Sequence, residues 1–306
     1  MLDALTIRRA GRSSTLPIRG LDYHLTTWGD AQAAPKPLLV MMHGWMDLGA
    51  SFQFVADAMA DGRIIVAPDW RGFGRTAAPG ADCYWFPDYL GDLDALLDAL
   101  SPDAPVDLLG HSMGGNVVMH YAALRPQRVR RLVNLEGFGL PDMPAELAGK
   151  RLVQWLDDLK RPQRLKGYPS LAAVAARLQQ TNPRLGDARA AWLAAQWAQK
   201  SAEPRADGQW HLRADAAHKR VNPALYRAAE VIALWRAIRA PLLWVQGADS
   251  RPEAWWGGRY SLAEFADRLA VVPNLQKVVL ADAGHMLHHD QPEALARTLD
   301  AFLDEA

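Results

Sequence analysis

Val106-Asp107-Leu108-Leu109-Gly110-His111-Ser112-Met113-Gly114-Gly115 is the stretch on which the reading of this chain turns. Its first four residues form an apolar run with the character of a buried strand. From Gly115 to Leu124 the pattern is helical, and it ends at Arg125-Pro126, where proline cannot continue a helix. Between the two lies Gly110-His111-Ser112-Met113-Gly114, of the form G-x-S-x-G. A strand, a tight glycine turn and a helix are the setting in which this pattern holds a serine out as a nucleophile. The turn strains the serine backbone, and a side chain at either glycine would crowd the strand or the helix. The next backbone N–H, on Met113, then points to where a developing oxyanion would sit. Without that setting glycine and serine are ordinary turn residues, so the flanking strand and helix carry the reading.

Working outward, other short apolar runs end in polar or glycine residues. Pro37–Met42 ends at His43-Gly44, Arg63–Ala67 at Pro68-Asp69, and Arg131–Leu135 at Glu136-Gly137. Pro241–Val245 ends at Gln246-Gly247, and Lys277–Leu280 ends near Asp282. Runs that are apolar on both faces suit parallel strands covered by helices. Asp88–Leu100 and Pro292–Leu303 have helical spacing of Leu, Ala and Phe. The alternation predicts an α/β fold with a mostly parallel central sheet flanked by helices, and functional residues beyond the carboxyl ends of the strands.

The alternation stops between residues 140 and 236. That segment is rich in Ala, Leu, Gln and Arg, contains Trp155, Trp192, Trp197, Trp210 and Trp235, and has no convincing apolar strand run. It reads as a helical insertion over the sheet, with its tryptophans mainly as packing residues. The predicted organisation is a core of residues 1–139 and 237–306 and an insertion of 140–236.

Half of the 306 residues are hydrophobic and the formal net charge is zero, which gives no global attraction to nucleic acid or anionic membrane. The single cysteine, Cys83, excludes an intramolecular disulfide and a multi-cysteine metal site. The chain has no run of about 18 apolar residues, and its start lacks the basic-then-apolar layout of a signal peptide. The expectation is a soluble cytoplasmic protein acting on a small molecule, without nucleic acid, membrane or cofactor. Histidines 43, 111, 285 and 288 raise the question of a metal. Those four show no H-x-x-x-H or carboxylate-paired spacing among themselves, so none is expected.

Several separated motifs, in order and over nearly the whole chain, resemble the α/β-hydrolase family. His43-Gly44-Trp45 looks like its oxyanion loop, Asp69–Arg75 like the turn after its fourth strand, and Gly110–Gly115 like its nucleophile elbow. Gly284-His285 follows the last strand, where the family carries its catalytic histidine, and residues 140–236 stand where it places a cap. The chain is similar to the epoxide-hydrolase-like and serine-hydrolase-like branches, with serine rather than aspartate in the elbow.

The resemblance implies a Ser112, acid, His285 triad. A serine needs an adjacent base; the resemblance makes His285 the candidate, with His288 and His289 as the alternatives. His43 is expected to shape the oxyanion loop, His111 to point away from the nucleophile, and His288 and His289 to be surface or supporting residues. An unperturbed imidazole base would place the acid limb of activity near about pH 6 to 7. Two positions compete for the acid. The family commonly supplies it after the seventh strand as G-x-x-D; here Gly247-Ala248-Asp249-Ser250 puts Ser250 in that register and Asp249 one residue early. The other location is after the sixth strand, where Glu136 stands. The oxyanion donors implied are the Met113 and Trp45 N–H groups, and Trp45, Met46 and Phe138 are the expected substrate contacts.

The function implied is a serine hydrolase of the esterase type, cleaving a small hydrophobic ester through an acyl-enzyme. A carbon–carbon bond hydrolase or perhydrolase would use the same triad, and a non-catalytic receptor the same fold.

Overall fold

A computed structural model describes residues 5–30, 35–200 and 208–305. The first part of the chain forms β1 (Arg12–Ile18), β2 (Leu21–Trp28), β3 (Leu39–Met42), α1 (Gln53–Ala58), β4 (Ile65–Pro68), α2 (Phe86–Leu100), β5 (Val106–His111), α3 (Met113–Leu124) and β6 (Val129–Leu135). Next come α4 (Ala148–Leu159), β7 (Gly167–Tyr168), α5 (Leu171–Thr181), α6 (Asp187–Trp197), β8 (Ala198–Lys200), β9 (Trp210–Leu212) and α7 (Ala228–Trp235). The chain closes with β10 (Leu242–Gly247), α8 (Pro252–Trp255), α9 (Leu262–Leu269), β11 (Leu275–Leu280), α10 (Leu287–Asp290) and α11 (Pro292–Leu303).

Eight strands make one sheet in the order β1-β2-β4-β3-β5-β6-β10-β11. From β4 to β11 the pairs are parallel. β1 pairs antiparallel with β2, and β2 antiparallel with β4. The six apolar runs read from the sequence are β3, β4, β5, β6, β10 and β11. β1 lacked such a run because most of it faces solvent, and β2, although largely buried, breaks its apolar residues with His24, Thr26 and Thr27. Two apolar clusters cover the sheet's faces. One holds Val40, Met42, Leu108, Val117 and Trp244, the other Met41, Leu109, Val133, Val245 and Leu299. Consecutive residues of β3 and β5 thus face opposite clusters, as the period of two requires.

Residues 140–236 contain helices as expected, and also an antiparallel sheet of order β7-β9-β8. Strands of two or three residues carry no readable periodicity, which is why this sheet was absent from the sequence reading. A separate cluster including Tyr168, Val174, Leu178, Leu193 and Ala198 gives the segment its own apolar centre, with Trp192, Trp197 and Trp210 packed against it and Phe54 of α1 joining it. The final helix, α7, packs instead against α3, and its Val231 and Trp235 belong to a cluster of the main sheet. The turn after β4 ties the segment down. Gly74 N–H donates to Arg213 O at 2.8 Å, Asp215 N–H donates to Gly72 O at 2.7 Å, and the His218 ring stacks on Phe73 and Tyr84.

The elbow explains its glycines. A Cβ on Gly114 would lie 2.2 Å from Met42 O and 2.6 Å from His43 O, and one on Gly110 would lie 2.3 Å from Gly114 O. These are backbone atoms, so no side-chain rotation relieves the overlap. Gly114→Ala should therefore destabilise the protein by about 1–3 kcal/mol, as overpacking of a tight interior does. The check is a lowered midpoint in urea denaturation; an unchanged midpoint would mean the elbow has slack.

Candidate active site

Parallel strands deliver their following loops to one edge of the sheet, and the adjacency of β5, β6, β10 and β11 sets what meets there. His111 pairs with Leu135, so Ser112 and Glu136 each lie one residue beyond paired strand ends. Main-chain bonds continue past the strands: Ser112 N–H donates to Leu135 O at 2.8 Å and Glu136 N–H to Val245 O at 3.2 Å. Asp249 N–H donates to Ala283 O at 2.9 Å, which fixes the loop carrying His285.

Ser112 sits at φ 51°, ψ −113°, immediately before α3. Met46 and Glu136 also have positive φ, 57° and 56°. Non-glycine residues rarely occupy this region, and such outliers mark places where surrounding structure overrides local preference. Three of them stand at the ends of β3, β5 and β6, around one point.

The three polar side chains form one hydrogen-bonded chain. Ser112 Oγ lies 3.0 Å from His285 Nε2, and His285 Nδ1 lies 3.0 Å from Glu136 Oε2. Because the carboxylate only accepts, Nδ1 carries the proton and Nε2 is left to accept from the serine hydroxyl. Glu136 is 1% exposed. Its Oε1 accepts from Gly247 N–H at 2.7 Å, and its Oε2 also accepts from the Ser250 hydroxyl. Burial pushes the Glu136 carboxyl up to about 7, while the Ser250 and Gly247 donors pull against that rise by favouring the charged form. Burial moves the His285 imidazole the other way, down to about 4.

Of the two acid candidates, the structure brings only Glu136 to His285. Asp249 is exposed and pairs with Arg184. Ser250, in the register where the family commonly has its acid, instead donates to the carboxylate that arrives from β6. No sequence pattern announced that contact, although the register itself pointed to the position.

His43 shapes the loop after β3, as expected. Its Nδ1 donates to Gly44 O at 2.8 Å, its Nε2 accepts from Trp70 N–H at 2.8 Å, and the Trp70 indole donates back to His43 O at 3.0 Å. Gly44 approaches Ser112 closely enough that a Cβ on it would lie 3.2 Å from the serine Cβ. The loop therefore borders the nucleophile, with Trp45 half exposed and Met46 partly buried against the main cluster. Met113 is the first residue of α3, whose opening N–H groups have no intrahelical acceptor.

Phe138 departs from its expected role. It is 2% exposed and packs edge-on against Trp244 and Phe265, so its ring belongs to the core. Trp255 of α8 takes the exposed position, half accessible with its ring centroid 4.5 Å from that of His285. His288 and His289 are also buried rather than at the surface. His289 Nε2 meets Ser51 Oγ at 2.7 Å, and the His111 ring packs 4.8 Å from His285.

A second serine–histidine–aspartate chain exists. Ser13 Oγ lies 2.6 Å from His24 Nε2, and His24 Nδ1 lies 2.9 Å from Asp69 Oδ2. Asp69 also receives N–H groups from Gly49 and Arg75. Ser13 lies within a strand, without the positive φ of Ser112 or a helix opening behind it. These contacts secure the turn after β4.

Comparison with known proteins agrees with the fold. A family profile described as alpha/beta hydrolase fold matches residues 37–292. The chain belongs to the α/β-hydrolase fold family. It is 24% identical over 312 residues to a serine hydrolase-like protein of Danio rerio, covering 97% of this chain and 90% of that one. To the 3-hydroxybutyrate-oligomer hydrolase of Cupriavidus necator it is 32% identical over 246 residues, covering 74% and 76%. Among solved structures, the thioesterase domain from the curacin biosynthetic pathway superposes with a TM-score of 0.82 at 26% identity, covering 95% of this chain and 99% of that one. The chain is thus a hydrolase of this fold, and among the described residues no helix is long and apolar enough to cross a membrane.

The pH dependence of the chain's chemistry follows from the dyad. If His285 serves as the base and Glu136 as its partner, activity requires an ionised Glu136 beside a neutral His285 and is lost as pH falls through the dyad's titration. Burial lowers the histidine and the carboxylate limit stands at about 7, so the acid limb of kcat/KM should lie no higher than about pH 7. Ser250→Ala removes a donor that favours the charged carboxylate and should move that limb upward. A limb that stays put in the variant would show that Ser250 does not hold the acid.

Proposed function

We propose that the protein is a serine hydrolase of the esterase type. The observation that carries this reading is the Ser112–His285–Glu136 chain, with both links at 3.0 Å and the serine on a strained turn before a helix. Ser112 Oγ attacks the carbonyl carbon while His285 Nε2 takes its proton. The carbonyl π pair moves onto oxygen, facing the Met113 and Trp45 N–H groups. Collapse of that intermediate expels the alkoxide, which receives the proton from His285, and leaves an acyl-serine. Water, deprotonated by the same nitrogen, then releases the acid. Glu136 keeps the imidazole in its working tautomer and stabilises the imidazolium formed in each half-reaction.

The half-exposed rings of Trp45 and Trp255 favour a small apolar acyl or alcohol group over a charged one. The relationship to a hydrolase of 3-hydroxybutyrate oligomers supports a carboxylic ester as the scissile bond. Residues 140–236 act as the cap in this reading, and the Trp255 ring borders the site beside His285.

Intact mass after exposure to a fluorophosphonate should show one adduct on the native protein and none on Ser112→Ala. Folded native protein without an adduct would overturn the reading. Glu136→Gln should lower kcat for a short-chain ester by about 10²- to 10⁴-fold, in the range seen when a triad acid is lost. Asp249→Asn should leave kcat within a few-fold of native; the reverse ranking would reassign the acid.

A further inference from the structure

Behind His285, three side chains that the hydrolytic reading does not use converge. Asp47 comes from the loop after β3, His111 ends β5, and His288 lies in α10. One donor atom from each lies within 4.8 Å of the other two. All three residues are buried, at 5%, 2% and 0% exposure.

Their hydrogen bonding is incomplete in a consistent way. His111 Nε2 lies 2.8 Å from His285 O. A carbonyl oxygen only accepts, so that nitrogen carries the proton and the lone pair sits on Nδ1. Among the described residues His111 Nδ1 has no partner. Asp47 Oδ1 accepts from Leu48 N–H at 2.8 Å, but Oδ2 has no hydrogen bond and lies 3.6 Å from His288 Nε2. His288 Nδ1 is likewise without a partner. His288 Nε2, the atom facing Asp47, has only Ser51 Oγ at 3.4 Å. Buried polar atoms are almost always satisfied, and two orphans, Asp47 Oδ2 and His111 Nδ1, beside a weakly held imidazole nitrogen call for an occupant.

We propose that Asp47, His111 and His288 bind a divalent transition-metal ion of the zinc class beneath the catalytic histidine. Two imidazole nitrogens and one carboxylate oxygen are a donor set for zinc, cobalt, nickel or copper, whereas magnesium and calcium take oxygen ligands. Two neutral rings and a carboxylate sum to one negative charge, which a dication compensates. Tetrahedral ligands at about 2.1 Å stand roughly 3.4 Å apart, so the triangle contracts on loading, with a water completing the shell. The His111 ring lies 4.8 Å from His285 and 4.4 Å from His288 by centroid, which sets the ion one ring away from the base. Its charge opposes the imidazolium that His285 must become, so a loaded enzyme turns over more slowly. That slowing rests on the hydrolase reading; the binding does not.

Metal-free native protein and Ser112→Ala are each titrated with Co²⁺. Both should take up one ion per chain with the visible absorption of four-coordinate cobalt, and Zn²⁺ should displace it. Asp47→Asn and His288→Gln, checked for folding by circular dichroism, should each weaken uptake at least tenfold. Zinc-edge X-ray absorption on loaded native protein, which needs no variant, should show a shell with two histidine nitrogens. Absence of stoichiometric uptake, which would leave water as the occupant, overturns the proposal. So does a shell lacking histidine, or uptake unchanged in both folded variants. In the activity arm, one equivalent of Zn²⁺ should lower kcat at least tenfold and EDTA should restore it; unchanged turnover at full occupancy overturns the inhibitory role.

Discussion

The Glu136 carboxylate is the point on which this site depends. It is shut away from water, yet it accepts from the Gly247 N–H, the Ser250 hydroxyl and the His285 ring. A buried charge is tolerable only when its lone pairs are met, and here the groups that meet them come from the ends of two other strands, β10 and β11. Holding the charge and assembling the site are therefore the same act. If the β10 or β11 loop shifted, the carboxylate would lose a donor, and burial would favour its neutral form.

Much of this was legible because a few local constraints are severe. Gly110 and Gly114 are demanded by backbone atoms within reach of any Cβ, so the elbow leaves a mark in sequence. Strands β3, β4, β5, β6 and β10 are buried on both faces and show as continuous apolar runs. His285 is set by its place after the last strand. Glu136 and Asp249 looked alike because each is an acid just beyond a strand. What separates them is tertiary: Asp249 faces Arg184 at the surface, and Glu136 faces His285 inside. Phe138 was misplaced for a related reason, since the same sequence position serves a wall or a core, and Trp244 and Phe265 decide it. Asp47, His111 and His288 carry no common motif, because they are brought together by a loop, a strand end and a helix far apart in the chain.

The insertion is held to the sheet by backbone as much as by side chains. Gly72 and Gly74 exchange main-chain bonds with Asp215 and Arg213, and His218 lies between two aromatic rings. α7 is built into the main core. The region of residues 213–218 therefore moves only if the turn after β4 moves with it, and that turn holds the loop after β3 through the Trp70 contacts with His43.

Placing the acid on β6 has a consequence for how such a chain diversifies. The end of β10 and the loop after it owe the dyad one amide, from Gly247, and one hydroxyl, from Ser250. Beyond that residue the segment through α8 has no duty in proton handling, yet it presents Trp255 beside the histidine. In the proposed hydrolase, selectivity and chemistry would thereby be written on separate stretches of chain. Drift in residues 251–260 can retune which molecules are accepted while the proton relay is inherited intact.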